Sequence, residues 1–495
     1  MTAVDPRPTG STAREAFADS ARVLAGYEPS RPSLAPSIVF RPLAGPPLPP
    51  RRPREDGPAS STIPSPLIGA RDAIAAGAVS ARDVLESCLE RVAALDEPLV
   101  AFATLDVDRA RQAADACDEH FRKSGASGPL HGVPLSVKDV IDVAGLPTRC
   151  GSLAYLEHPL RDAVSVARLR AAGAVIVGKA TTHEFALGVT NPQSRNPHDP
   201  TRIPGGSSGG SAITVATRMA LGSVGTDTRA SIRVPAALSG VVGLKPTFGA
   251  IPTEGVVPLS WTMDHVAPMA STVPDVATLL QVLTQDDRTC TWLDARVDGW
   301  RIGVAQSTLD GCDPEVAAAF LDTLNMCRAL GCRIVEIESP TAHDLEDANA
   351  AGLIVSRSEA GAFHRARHGE LERYWPEVGE QIDESYRVLA VDYLDAQRLR
   401  VDLGHRLLDV FDTIDIVAMP TVPVLAPPVD DFARYLMVLS RNAIPWSFLG
   451  FPALSTPCGR SLSGLPIGAQ FVGPPGHDGP VIALGATFER ERGTW

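Results

Sequence analysis

Aromatic residues are scarce in this chain, at 5%, and positive charge is outweighed. Forty-five Lys and Arg face 58 Asp and Glu, for a net charge of −13. That balance argues against nucleic acid or an anionic membrane surface as a partner. No apolar run is long enough to span a bilayer. Eight cysteines are scattered without a C-x-x-C pair, which removes the usual zinc and dithiol motifs and fits reduced thiols in a cytoplasmic protein. The opening MTAVDPRPTG has no basic stretch followed by an apolar core, so no secretory leader is expected.

Proline is abundant, but unevenly so. The first 66 residues hold 14 of the 43 prolines, including PPLPP at 46–50. Such chain does not build a regular core. Residues 1–66 therefore read as a partly disordered extension with one short helix near 12–25. One ordered domain follows over 67–495. In it, Ser80 and Asp83 form a capping-box start, and apolar residues at helical spacing predict a helix over 80–95. Further helices are expected at 106–123, 163–172, 273–283 and 314–332. Strands are expected around Lys138 and at 174–179, 300–305, 332–337 and 412–421. Helices alternating with apolar strands indicate an α/β fold with a substantial sheet. No internal repeat is visible.

Two stretches carry candidate chemistry. IPGGSSGGSAITVA (203–216) places four glycines and three serines before a run able to form a helix, an arrangement that exposes backbone N–H groups to an anion or oxyanion. It is not a phosphate-binding P-loop, because Ser211-Ala212 stands where Lys-Ser/Thr is required. Gly205, Ser207 and Gly209 match G-x-S-x-G, but RNPHDPTRIP precedes them instead of the strand that a nucleophile elbow needs. The loop thus reads as one part of a serine site completed elsewhere. GTDTRASIRVPAALSG (225–240) reads as a loop presenting Ser231, with Arg229 and Ala230 where a tight turn favours glycine. Lys138 lies inside an apolar strand-like run. Burial there lowers its proton affinity and suits a general base, unless it pairs with neighbouring Asp139.

Taken in order, GVPLSVKDVIDVAGLPT (132–148), AVIVGKATTHEFALG (174–188), GGSSGGSA (205–212), the 225–247 segment and GLPIGAQFVGPPG (464–476) resemble the amidase signature hydrolases. The resemblance runs from about residue 67 to the C-terminus. It implies a single large α/β domain with a mixed, twisted central sheet flanked by helices on both faces. It also implies a Ser–cis-Ser–Lys triad made of Ser231 as nucleophile, Ser207 as bridge across a cis Gly206–Ser207 peptide, and Lys138 as base. Backbone N–H groups of Thr228, Arg229, Ala230 and Ser231 would form the oxyanion hole. Ser208, Asp227 and Arg233 would support that loop, the last two as an ion pair. Such an enzyme cleaves a small or medium carboxamide through an acyl-enzyme and releases ammonia or an amine, with no cofactor and no metal.

Trp261, Met263, Trp446 and Phe448 fall in segments that line the acyl pocket of similar enzymes, although core is their ordinary place. The variable pocket segments are expected at 340–390 and 430–450. Similar enzymes commonly have glycine at 230. Arg229 either faces the cleft and holds a substrate carboxylate, or turns away and braces the loop. His364 and His368 are four apart, but HRARH lacks the glutamate of a zincin. Three alternatives stay open: acyl or ammonia transfer in biosynthesis, an amidotransferase A-like chain with partner chains, and a non-catalytic binder on the same fold. A homodimer is left open.

Overall fold

The computed structural model describes residues 13–28, 30, 40–41, 43–48 and 65–493. Eleven strands occur in these: β1 (Phe102–Leu105), β2 (Pro134–Lys138), β3 (Val175–Ala180), β4 (Gly222–Asp227), β5 (Val242–Lys245), β6 (His265–Ala270), β7 (Arg301–Val304), β8 (Arg333–Glu336), β9 (Ile416–Pro420), β10 (Ala453–Arg460) and β11 (Pro466–Val472). They join in one sheet, ordered β1-β3-β2-β4-β6-β5-β10-β11-β9-β7-β8. β2 is parallel to both β3 and β4, whereas β4 and β6 run antiparallel. The sheet is therefore mixed, and helices cover it. Every residue of β2, β3 and β4 is buried, as expected for strands packed on both faces.

The helices expected from periodicity occur within a few residues of their predicted ends: Ala81–Leu99, Val107–Ser124, Val164–Ala171, Val273–Thr284 and Pro314–Ala329. Ser80 accepts from the Asp83 N–H, and Asp83 accepts from that of Ser80, closing the capping box. The eight cysteines are free thiols. Among the described residues no helix is long and apolar enough to cross a membrane.

The proline-rich extension does contain its helix, Ala13–Ala25. It packs on the long Ala342–His364 helix, with Phe17 and Leu24 buried in the cluster they share. The helix is pinned behind its C-terminus, where Tyr27 Oη donates to Asp402 at 2.5 Å and the Ser30 N–H donates to the same carboxylate at 2.9 Å. Farther on, Arg400 lies over the Phe40 ring, and His477 Nε2 donates to the Pro46 carbonyl at 2.9 Å. The expected disorder in 1–12, 31–39 and 49–64 lies outside the described residues.

Candidate active site

The C-terminal ends of parallel strands β2 and β4 bring the first residues together. Lys138 ends β2 with its side chain wholly buried. Its ammonium contacts Ser207 Oγ at 2.8 Å and Thr226 Oγ1, from β4, at 2.8 Å. Burial pushes the lysine down to about 7, against the opposing pull of Asp264 and Asp227. Asp139, weighed in the sequence as its partner, turns to Lys179 instead, at 2.9 Å. Alternation along a strand sends neighbours to opposite faces, so adjacent Lys138 and Asp139 do not pair.

Ser207 precedes the Gly209–Ala216 helix, and the Gly206–Ser207 peptide is cis. Gly206 has no substitute here: a Cβ would meet the Thr190 carbonyl oxygen at 1.9 Å. The Ser208 hydroxyl donates to the Thr226 carbonyl at 3.1 Å, and the Ser208 N–H donates to the carbonyl of Ser231 at 3.2 Å. Those two bonds tie the glycine-rich turn to the segment bearing Ser231. Among the described residues no hydrogen bond joins the hydroxyls of Ser207 and Ser231.

The stretch 225–240, expected as a loop, is half regular. Residues through Asp227 belong to β4, and Arg233–Ser239 is a helix, so only five residues turn between them. Asp227 organises that turn. It accepts from the Ala230 N–H at 2.8 Å, the Ile232 N–H at 3.3 Å and Ser447 Oγ at 2.9 Å, and it pairs with Arg233 at 2.9 Å. Burial alone would raise its carboxyl, but Arg233, together with Lys245 and His265, outweighs burial and holds it below the usual carboxylate range. Arg233 also donates to Gln470 Oε1 at 2.7 Å and to the Ala443 carbonyl at 2.9 Å. The pair is fully buried. Ala230 sits at φ 100°, in the region that favours glycine.

Ser231 opens on a cavity of about 420 Å³. His183, Thr228, Arg229, Arg357, Glu377, Glu380 and Gln381 are among its polar residues, and Leu259, Leu353 and Phe432 are among its apolar ones. The expected variable segments do contribute, through Leu353 to Gln381 and Phe432 to Ser440. Ala13, Ala16 and Phe17 of the N-terminal helix contribute too, which sequence reading had no signal to find. Of the four apolar candidates none lines the cavity: Met263, Trp446 and Phe448 are core, and Trp261 is 51% exposed.

Arg229 both faces the cavity and donates to Asn349 Oδ1 at 2.6 Å. Three further polar residues escaped the sequence reading. Thr226 gives Lys138 its second contact. His183 is held neutral, pushed down by burial to about 4. Asp264 accepts from Thr228 Oγ1 at 2.6 Å and is pushed up by burial to about 7. Thr226 and His183 carried a signal, since they fall inside the 225–247 and 174–188 segments of the resemblance. His364 and His368 do not act together: His364 meets the Tyr374 hydroxyl at 3.0 Å, and His368 meets Asp383 at 3.3 Å.

Comparison with known proteins follows the same lines. The amidase family model matches residues 83–482. The A chain of a glutamyl-tRNA(Gln) amidotransferase from Roseiflexus sp. (strain RS-1) is 36% identical over 473 residues, covering 86% of this chain and 96% of that one. An amidase from Pseudomonas putida is 37% identical over 441 residues, covering 84% and 93%. A crystal structure of an amidase superposes with a TM-score of 0.77 at 36% identity, over 85% of this chain and 98% of the other.

Proposed function

The chain belongs to the amidase signature family, and on that premise we propose that it hydrolyses a carboxamide C–N bond through Lys138, Ser207 and Ser231. The observation that carries the proposal is the buried Lys138 ammonium 2.8 Å from Ser207 Oγ, on a lysine lowered to about 7. A lysine neutral near pH 7 accepts a proton from Ser207, which in turn accepts one from Ser231. Ser231 Oγ then attacks the carbonyl carbon, and the tetrahedral oxyanion collapses to an acyl-enzyme as the C–N bond breaks. The relay returns its proton to the departing nitrogen, and water attacks the ester to release the acid.

Since the Ala230 N–H is already given to Asp227, the oxyanion falls to the N–H groups of Thr228, Arg229 and Ser231. Asp227, Arg233 and Ser208 act by holding that turn in shape. A panel of amides and ureas assayed for ammonia release tests the proposal, with Ser231→Ala as the blank. Release that persists in Ser231→Ala would remove Ser231 from the reaction.

A second reading has its own support in the likeness to the A chains of amidotransferases. In it, the same relay frees ammonia for a partner chain. Co-purification from the native source separates the two: hydrolysis by the isolated chain at full rate favours the first, and activity that appears only with a bound partner favours the second. A non-catalytic binder would leave Ser231 unlabelled by a fluorophosphonate.

A further inference from the structure

Two guanidinium groups face the cavity beside Ser231, and neither has a carboxylate partner among the described residues. Arg357 is 6% exposed. Its Nε donates to Gln381 Oε1 at 2.7 Å, and its terminal nitrogens meet the Ser356 hydroxyl and the Leu187 carbonyl, each at 3.4 Å. Arg229 donates to Asn349, while its Nε is buried with no hydrogen-bond partner. By contrast, buried Arg233 has both an anion, Asp227, and close carbonyl and amide acceptors. A buried guanidinium without an anion is strongly disfavoured, and two on one wall repel each other.

The surrounding groups do not cancel the charge. His183 is neutral, Lys138 is lowered towards neutrality, and Thr228 and Ser231 are uncharged. Glu377 and Glu380 border the same cavity from the Pro376–Ser385 helix, but neither lies within ion-pair distance of Arg229 or Arg357 among the described residues, and Glu377 is exposed. Burial and the neighbouring Arg229 both depress Arg357 well below the usual arginine value, with no anion acting against them.

We propose that Arg229 and Arg357 form an anion subsite in the substrate cavity, and that the substrate is an amide carrying a carboxylate on an otherwise apolar body. A planar carboxylate suits a pair of guanidinium forks, and the apolar remainder of the wall suits a hydrocarbon spacer. This rests on Ser231 being the nucleophile of an amidase. The subsite adds substrate choice to that reading: an entering carboxylate supplies the missing counter-ion, and a neutral amide of the same shape leaves both arginines unpaired.

The test is protection of Ser231 from a fluorophosphonate by size-matched ligands, which needs no turnover. Adipamate is compared with 6-methylheptanamide, and 4-carbamoylbenzoate with 4-nitrobenzamide. The carboxylated member of each pair should protect at concentrations about tenfold lower or more, and hydrolysis rates should show the same preference. Arg357→Gln should collapse that ratio towards one, and Arg357→Lys should keep part of it. Added salt should narrow it in the wild type. Equal protection within each pair in the wild type overturns the anion subsite while leaving the amidase reading in place. A ratio that survives Arg357→Gln also overturns it. No labelling of Ser231 at all removes the amidase reading and the subsite together.

Discussion

At the scale of single residues the site depends on one proton and one methyl group. Lys138 is pushed down to about 7 by burial, and the relay needs it neutral. The rate in kcat/KM should therefore rise with pH through about 7 and level off above it. A pH–rate profile on any hydrolysed amide checks this, and a flat profile from about 5.5 to 9 would count against Lys138 as the base. Ala230 raises a different question, since its φ of 100° favours glycine. Relief of that strain in Ala230→Gly is worth about 1–2 kcal/mol. Against it stand the lost burial of one methyl, about 0.8 kcal/mol, and the greater freedom of glycine in the unfolded chain, about 0.4–1 kcal/mol. The terms nearly cancel, so Ala230→Gly should change stability by less than about 1 kcal/mol. Ala230→Val adds bulk in a buried cluster at the same angle and should cost about 2 kcal/mol or more. Denaturant midpoints of the two variants settle the comparison.

At the scale of elements, the N-terminal helix is the part with a role to test. It reaches the cavity through Ala13, Ala16 and Phe17, and it is held by one buried face and the contacts of Tyr27 and Ser30 with Asp402. A terminal helix docked by one face opens before the sheet does. Phe17→Ala should raise KM several-fold with little change in kcat, because the lost contact binds substrate and transition state alike. It should also speed amide exchange in 13–25 and leave the main unfolding transition within a few degrees. Loss of the whole transition on deleting residues 1–30 would show instead that the helix belongs to the core. Elements of this chain were legible where one residue class dominates. The Val-rich strand β3 and the capped helix at 81–99 stood out on that ground. β4 did not, since GSVGTD has almost no apolar signature. Its glycines are set by neighbours: a Cβ on Gly222 would meet Leu279 at 2.9 Å, and one on Gly225 would meet Ser208 Oγ at 2.9 Å. Close approach demands small residues, and small residues read as loop. The triad candidates were legible through the order of motifs. Arg357 and Phe17 were not, because a cavity wall gathered from distant segments leaves no local pattern.

For the whole molecule, the buried titratable groups set a stability profile with a defined maximum. Asp264, Glu184 and Glu489 are each pushed up by burial to about 7. Folded, they hold protons that unfolded carboxyls release near 4, so they make stability fall as pH rises from about 4 to 7. His183 and His364 are pushed down by burial to about 4. Here the unfolded imidazoles hold the extra protons, so stability rises from about 4 to 6.5. The two sets oppose each other and both are spent by about 7. Above that, Lys138 is neutral in the fold while an unfolded lysine stays protonated to about 10.4, and buried Lys245, also pushed well below the ordinary lysine value, acts in the same direction, which makes stability climb. The thiols of Cys88, Cys327, Cys332 and Cys458, each raised by burial to about 12, reverse the trend. From about 8.5 upward the unfolded thiols ionise and the folded ones do not, so stability falls and the more numerous thiols outweigh the two lysines. The melting temperature under reducing conditions should therefore peak between about pH 7 and 9. Lys138→Met should reduce the climb on the acid side of that peak, leaving the part due to Lys245, and leave the alkaline fall in place. A maximum at about pH 5 to 6 in the wild type, or a climb unchanged in Lys138→Met, would contradict the assignment. Because Lys138 shares the climb in stability with Lys245 but alone sets the rise in rate, a substitution at Thr226 that moves the midpoint of the rate should move only Lys138's part of the climb, and in the same direction.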